Sequence, residues 1–411
     1  MALRIVHIFW LFIEKKRSQT LGRLLVFTEN YAKGGGNKYL IDLINSLGEV
    51  ANETFLYSNA GGIYPEDTSR LNRKINIKSV SFITQPLLLS KLKLISNDWR
   101  RAIGLPLRLL EPFFYICNIA RFSLLCYRLK PTRVLACNGG YPASQACLAL
   151  VIAASLLNIP TALSIVSMPA KRRKLLFWYE KALDNLVWRS SDCLIVNANA
   201  IAQALSKQRG MPLNKSHVIH NGLDDLKSTN PVEDTNIFVI GCVARLDRSK
   251  GVLFLFDAFV TLLQKHPNLR LVLVGSGDAY DELTMRTSLL GLQGRVNLPG
   301  HFIGDISTLL ATFDIYVFPS LWEGFPYSIL EALRSGCVIV ATNVGGIPEA
   351  IADGVDGILI EPGCSAAIAG AVDGLINNQE FCAELSKNAR LKFQRNFTLK
   401  EMEKRVQEVL L

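Results

Sequence analysis

The feature that most constrains this chain is a repeated alternation between 237 and 346. Short runs rich in β-branched residues, "IFVIGCV", "LRLVLVG", "DIYVF" and "CVIVAT", each stop at small or polar turn residues. Stretches with helical periodicity follow them, such as "GVLFLFDAFVTLLQKH". Strands separated by helices pair in parallel, because only a long crossover returns the chain to the same end of the sheet. Helices then cover both faces, which explains near-continuous apolar strands. The first half repeats the theme in "GRLLVFTEN", "RVLACNGGYP", "PTALSIVSMP" and "DCLIVNANA". The prediction is α/β with two doubly wound, Rossmann-like domains joined through the polar, turn-rich stretch 220–236. Loops after strands are the candidate sites, since such sheets bind ligands at the carboxyl ends of their strands.

Composition agrees with two buried cores: 411 residues, 49% apolar and 19% charged, exclude disordered and fibrous classes. Nine cysteines form no CxxC pair, and no signal peptide with a small-residue cleavage site precedes them, so reduced thiols in a cytosolic setting are expected. The apolar runs 5–13 and 146–157 are too short to span a bilayer, and the second reads as a buried helix ended by Pro160.

Charge is divided unevenly. Residues 1–235 hold 30 Lys+Arg and 16 Asp+Glu, a net +14, and the remainder holds 15 and 19, a net −4, together the +10 of the whole. A basic half points to nucleic acid, phosphorylated substrate or an anionic membrane surface. The stretch 85–130 mixes Leu, Phe and Tyr with Lys and Arg and holds two acids. It reads as a basic amphipathic surface helix, against helices packed on the sheet with snorkelling bases. Lys171, Arg172, Arg173 and Lys174 before "LLFWY" read as a second basic-aromatic element.

Four loops carry candidate chemistry. In 241–251, a strand delivers Arg245 and Lys250 beside a helix start at Val252, a combination that suits a diphosphate. In "EGFPYSILE", Glu323 and Glu331 flank a helix predicted from Pro326 through Arg334, with Gly336 as its breaker. N–H groups around Phe325, Tyr327 and Ser328 at that helix start suit phosphate oxygens. "NVGGIPE" repeats the design with Gly345, Gly346, Pro348 and Glu349, and Gly34, Gly35 and Gly36 open a helix in the first domain. No GxGxxG with a suitably placed acid and no P-loop pattern occurs, and the five histidines do not cluster.

Together these residues resemble a retaining glycosyltransferase of family 4, with its E-x7-E pattern in Glu323 and Glu331. The resemblance runs from about Gly22 and is strongest over 238–360. It implies the GT-B architecture, two Rossmann-like domains facing across a cleft. It implies that Arg245 and Lys250 bind the donor diphosphate and stabilise it as it leaves, that Glu323 contacts the transferred sugar, and that Glu331 binds the ribose. Phe325, Pro326, Tyr327 and Ser328 match the phosphate-capping helix start. Gly275 and the turn around Phe302 lie where the base is expected. Gly34, Gly35 and Gly36 match the loop that approaches donor phosphate and acceptor, and Asn138 stands where many relatives carry a histidine.

The predicted domains are an extension 1–20, an acceptor domain 21–225, a nucleotide-sugar domain 236–390, and a C-terminal helix 391–411 packing back toward the first domain. The expected activity is metal-independent transfer from a nucleoside-diphosphate sugar, with no cofactor, to a saccharide or lipid-linked acceptor such as a lipopolysaccharide, O-antigen or capsule precursor. The expected place is the cytoplasm, at the inner face of an anionic membrane, with no nucleic-acid partner. The competing readings are a GT-B transferase with a soluble acceptor, of sucrose- or trehalose-synthase type, and a non-catalytic nucleotide binder.

Overall fold

The structure, a computed structural model, describes residues 21–29, 34–47, 51–59, 68–72, 75–91, 104, 106–226 and 237–410. The extension 1–20, part of the basic stretch (92–103) and most of the polar stretch (227–236) lie outside the described residues. The chain forms two compact units. The first takes residues through Asn197, then Ile201–Ile219 and Met402–Leu411, and the second takes Ala198–Ala200 and His220–Glu401.

In the first unit, seven strands form one all-parallel sheet in the order β3-β2-β1-β4-β5-β6-β7. They are β1 (Leu21–Thr28), β2 (Ala51–Asn59), β3 (Asn76–Val80), β4 (Arg133–Asn138), β5 (Thr161–Ile165), β6 (Cys193–Val196) and β7 (Ser216–Val218). The described helices are α1 (Gly35–Ser46), α2 (Gln85–Lys91), α3 (Glu111–Leu129), α4 (Gln145–Leu156), α5 (Phe177–Ser190) and α6 (Asn199–Arg209). As expected for the apolar run 146–157, every residue from 146 to 154 in α4 is buried. In the same unit Phe82 stacks on Phe122 at 3.8 Å between ring centroids, and Phe27 meets both rings edge-on.

The basic tract 171–174 departs from its expected role as a surface element. Arg173 reaches both oxygens of Glu111 in a bidentate pair, at 2.9 and 2.6 Å, and also pairs with Glu180. Arg172 Nε donates to Asp184 at 2.8 Å. Arg209, only 1% exposed, donates to Glu180 at 2.7 Å and to the Ala170 carbonyl at 2.9 Å. The Tyr141 hydroxyl donates to Asp184 at 2.7 Å. Carboxylates that cannot be left bare in a low-dielectric interior have drawn the guanidinium groups inward. Lys171 and Lys174 remain exposed.

The second unit holds six parallel strands in the order β10-β9-β8-β11-β12-β13. They are β8 (Phe238–Val243), β9 (Leu269–Val274), β10 (Val296–Gly300), β11 (Ile315–Phe318), β12 (Val338–Thr342) and β13 (Ile358–Ile360). The helices are α7 (Val252–Leu262), α8 (Tyr280–Leu289), α9 (Ile306–Leu310), α10 (Tyr327–Ser335), α11 (Ile347–Ala350), α12 (Ser365–Ile376), α13 (Gln379–Asn396) and α14 (Leu399–Leu410), the last of which passes into the first unit at Met402. Val252, Leu255, Phe256 and Phe259 of α7 pack on Ile240, Leu271, Leu273 and Ile315 in one core. His220–Leu226, expected as linker, belongs to this unit, where Asn221 is buried.

All nine cysteines are free thiols. Among the described residues no helix is long and apolar enough to cross a membrane.

Arg209→Met removes a buried cation from Glu180 and leaves Arg173 as that carboxylate's remaining arginine partner, a loss expected to cost about 3–5 kcal/mol. A urea titration followed by the fluorescence of Trp188, whose indole N–H donates to the Arg209 carbonyl at 3.1 Å, should show that loss.

Candidate active site

In the second unit the strand order runs away from β8 in both directions, β9-β10 on one side and β11-β12-β13 on the other. The loops that follow β8 and β11 therefore leave the sheet in opposite directions, and the crevice between them is where an open α/β sheet takes a ligand. Both motif loops end there. Gly251 has φ +66°, and a Cβ on it would lie 2.0 Å from the Pro319 carbonyl oxygen. Only glycine permits that approach, which lets the Leu321 N–H donate to the Ser249 carbonyl at 2.9 Å.

At that crevice Lys250 Nζ lies 2.5 Å from Glu323 Oε1, with side chains 17% and 11% exposed. The Ser320 hydroxyl donates to the same oxygen at 2.8 Å. Helix α10 begins at Tyr327, with Pro326 extended at its N-cap, and ends on Gly336 in a left-handed conformation. The predicted helix is thus present, starting one residue later than Pro326. Its positive dipole end adjoins the Glu323 loop.

The other expected residues divide into those at the crevice and those turned away. Arg245 leaves the same loop as Lys250 but is 70% exposed and pairs with Asp247. Glu331 sits half-buried in α10. Ser328 hydrogen-bonds the buried Tyr316 hydroxyl, whose proton is held far above the ordinary phenol range by burial. Phe325 is 4% exposed, so its ring serves packing and only its backbone borders the loop. Gly275 follows β9 with φ +138°, and its N–H donates to the Gly300 carbonyl at 2.8 Å, which sets the β9 and β10 loops side by side. Phe302 follows β10 and folds over Gly304. In the first unit, Gly34, Gly35 and Gly36 open α1 after β1, and Asn138 ends the neighbouring β4. Those two strands flank that sheet's own reversal point.

The supporting contacts of several residues were not read from the sequence. The His220 ring stacks on Phe325 at 4.7 Å, and Asn221 Nδ2 donates to the Phe325 carbonyl at 2.7 Å. Glu349 accepts from the N–H groups of Asn199 and Ala200, both at 2.8 Å, and meets His220 Nε2 at 3.1 Å. Although burial opposes ionisation, these hydrogen bonds hold the Glu349 carboxyl below the usual carboxylate range. Gly345, at φ +56°, packs where a Cβ would lie 2.0 Å from the Glu323 carbonyl oxygen, and the Gly346 N–H donates to the Gly324 carbonyl at 2.7 Å. The "NVGGIPE" turn therefore braces the Glu323 loop. Its signal was present in the paired glycines, but the partner they approach is set by the sheet order.

Among the described residues no group of three His, Cys, Asp or Glu could hold a metal ion. The first unit also contains a cavity of about 400 Å³ at the carboxyl ends of β4 and β5, lined by Tyr141, Gln145, Met168, Glu180 and Arg209 among others.

Residues 33–225 match the family described as Glycosyltransferase Family 4, and residues 225–392 match Glycosyl transferases group 1. The chain is built of two glycosyltransferase domains. An uncharacterised glycosyltransferase of Methanocaldococcus jannaschii is 29% identical over 224 residues, 51% of this chain and 57% of that protein. The Escherichia coli UDP-Gal:alpha-D-GlcNAc-diphosphoundecaprenol alpha-1,3-galactosyltransferase is 28% identical over 271 residues, 60% of this chain and 68% of that protein. The match thus spans little more than half the length of the first of these relatives. The crystal structure of Anabaena HepE in complex with UDP superposes with a TM-score of 0.72 at 22% identity, covering 94% of this chain and 99% of that one. These transferase domains share with such structures the GT-B pairing of two parallel-sheet Rossmann-like domains.

The depressed Glu349 carboxyl has a pH consequence of definite sign. Its stabilisation is complete above the unfolded value and is lost as pH falls through the folded one. The stability difference between the wild type and Glu349→Gln should be largest at neutral pH and shrink through the acid range below the ordinary carboxylate value. Urea midpoints across that range would measure it.

Proposed function

We propose that this protein transfers a sugar, with retention at the anomeric carbon, from a nucleoside-diphosphate donor to a saccharide or lipid-linked acceptor, without a metal. The observation that carries the reading is the Lys250–Glu323 pair at the reversal point of the second sheet, beside the N-termini of α7 and α10. A phosphate placed there meets an ammonium and two positive helix ends. A carboxylate adjoining that cation suits the polar, partly cationic sugar of a breaking glycosidic bond.

In this reading the bond between the anomeric carbon and the β-phosphate oxygen breaks, and its electron pair stays on the phosphate. Lys250, joined by Arg245 once it turns from Asp247, balances the charge that develops on the diphosphate. Glu323 faces the sugar, and Glu331 takes the ribose. The acceptor oxygen bonds to the same face of the anomeric carbon, and its proton passes to the departing phosphate. Gly34, Gly35, Gly36 and Asn138 border the acceptor, while Gly275 and Phe302 lie beside the base.

A lipid-linked acceptor at the inner membrane face is favoured over a soluble one by the +14 charge of residues 1–235. It also agrees with the diphosphoundecaprenol-linked acceptor in the name of the Escherichia coli relative. Sucrose-phosphate synthase from Thermosynechococcus elongatus, TM-score 0.66, shares the fold and represents the soluble alternative. Assays with membrane extract against soluble sugar acceptors separate the two.

A screen of UDP-, GDP- and ADP-sugars, scored by nucleotide release, should identify one donor. With it, Lys250→Ala should lower kcat by about 10²–10³, as expected for losing one preorganised charge donor. Glu323→Gln should fall by a comparable factor, and NMR of the product should show the donor's anomeric configuration. Wild-type rates in Lys250→Ala would overturn the assignment.

A further inference from the structure

Residues 106–190 contain only three acids, Glu111, Glu180 and Asp184. All three are buried against arginine, at 2%, 2% and 1% exposure. The fold has sorted the charges of this stretch, so that every charge it shows to solvent is positive, including Arg108, Arg121, Arg128, Lys174 and Lys181.

The outward face of α3 is apolar. Phe113, Ile116, Ala120, Leu124 and Tyr127 recur at spacings of three and four, which places them on one helix face. Phe113 is 60%, Ile116 67% and Tyr127 72% exposed. Phe114, Asn118 and Phe122, on the opposite face, are the residues packed into the unit. A helix on a protein surface ordinarily turns its polar side outward. Here the water-facing side is apolar and flanked by Arg121 and Arg128. A second apolar group, Leu175 and Trp178, is similarly exposed, with Lys181 Nζ 5.3 Å above the Trp178 ring. Arg173 ties the two groups together, because one guanidinium holds Glu111 at the first residue of α3 and Glu180 in the first turn of α5.

We propose that this face is a membrane-docking surface for an anionic bilayer. The α3 stripe and the Leu175–Trp178 edge enter the headgroup–acyl boundary, and the flanking Arg and Lys side chains contact lipid phosphates. Resting on the reading of a lipid-linked acceptor, the proposal names the surface that would bring the enzyme to it. Charge complementarity selects the occupant: two apolar elements rimmed by cations alone match an anionic interface. Arg172 and Arg173 are not contacts, since they brace the face from within.

Sedimentation with vesicles of phosphatidylcholine, with and without phosphatidylglycerol, tests the proposal on the full chain. Wild-type protein should pellet with the anionic vesicles and hardly at all with phosphatidylcholine alone. Phe113→Ser/Ile116→Ser should bind at least about tenfold more weakly, with unchanged circular dichroism because both positions are exposed. Arg121→Glu/Arg128→Glu, a second folded variant, should lose the preference for phosphatidylglycerol and the salt sensitivity. The proposal is overturned if the wild type fails to bind, or if the Ser variant binds as well as the wild type. It is also overturned if sedimentation velocity shows a dimer that the Ser variant breaks and no vesicle capture, which would make the stripe an interface between copies. Vesicle binding without nucleotide release from any donor would retain this surface and reject the transfer reading.

Discussion

Both units are governed by one constraint, the all-parallel pairing of their strands. A parallel neighbour can be reached only by crossing over a face of the sheet, so every strand delivers its following loop to the same edge. Where the strand order reverses, adjacent loops diverge and leave room between them. In the second unit that gap lies between β8 and β11, and it brings together Lys250 and Glu323, 73 positions apart in sequence. Glycines set the spacing of the loops. Gly251 lets the β8 loop touch the β11 loop, and Gly345 lets the β12 turn touch it from the other side.

Much of this was legible in the sequence, because the signals involved are local. Runs such as "CVIVAT" and "DIYVF" announce buried strands, and Gly336 announces a helix end, through properties of a few neighbouring residues. The candidate loops were legible for the same reason. Strands β2, β3, β7 and β13 left weaker marks, since β3 is exposed along most of its length and β7 and β13 have three residues each. The role of Glu349 was hidden, because its partners Asn199, Ala200 and His220 lie about 130 to 150 positions away and no local pattern encodes that meeting. The divergence of Arg245 from Lys250 was hidden too, since two cations in one loop read alike until Asp247 and Glu323 take their places.

Net charge illustrates a different limit. The sequence shows a basic first half, but the sign of a segment does not say which of its charges meet water. In the first unit the acids near α3 and α5 are internal, each matched to a guanidinium, and the buried pairs cancel. What reaches the surface is more uniformly positive than the composition alone implies. Buried ion pairs contribute little net stability, so their effect here is on which face of each helix looks inward.

The second unit is also not a continuous piece of chain. It includes Ala198–Ala200, which lie ahead of the last part of the first unit in sequence. A fragment cut at residue 220 to isolate the second unit would omit Asn199 and Ala200, and with them two of the three groups that hydrogen-bond Glu349. His220 would then hold that carboxylate alone while also stacking on Phe325. Such a fragment would keep both Lys250 and Glu323 of the crevice and still lack part of the scaffold that seats it, so the natural unit of dissection is the whole chain.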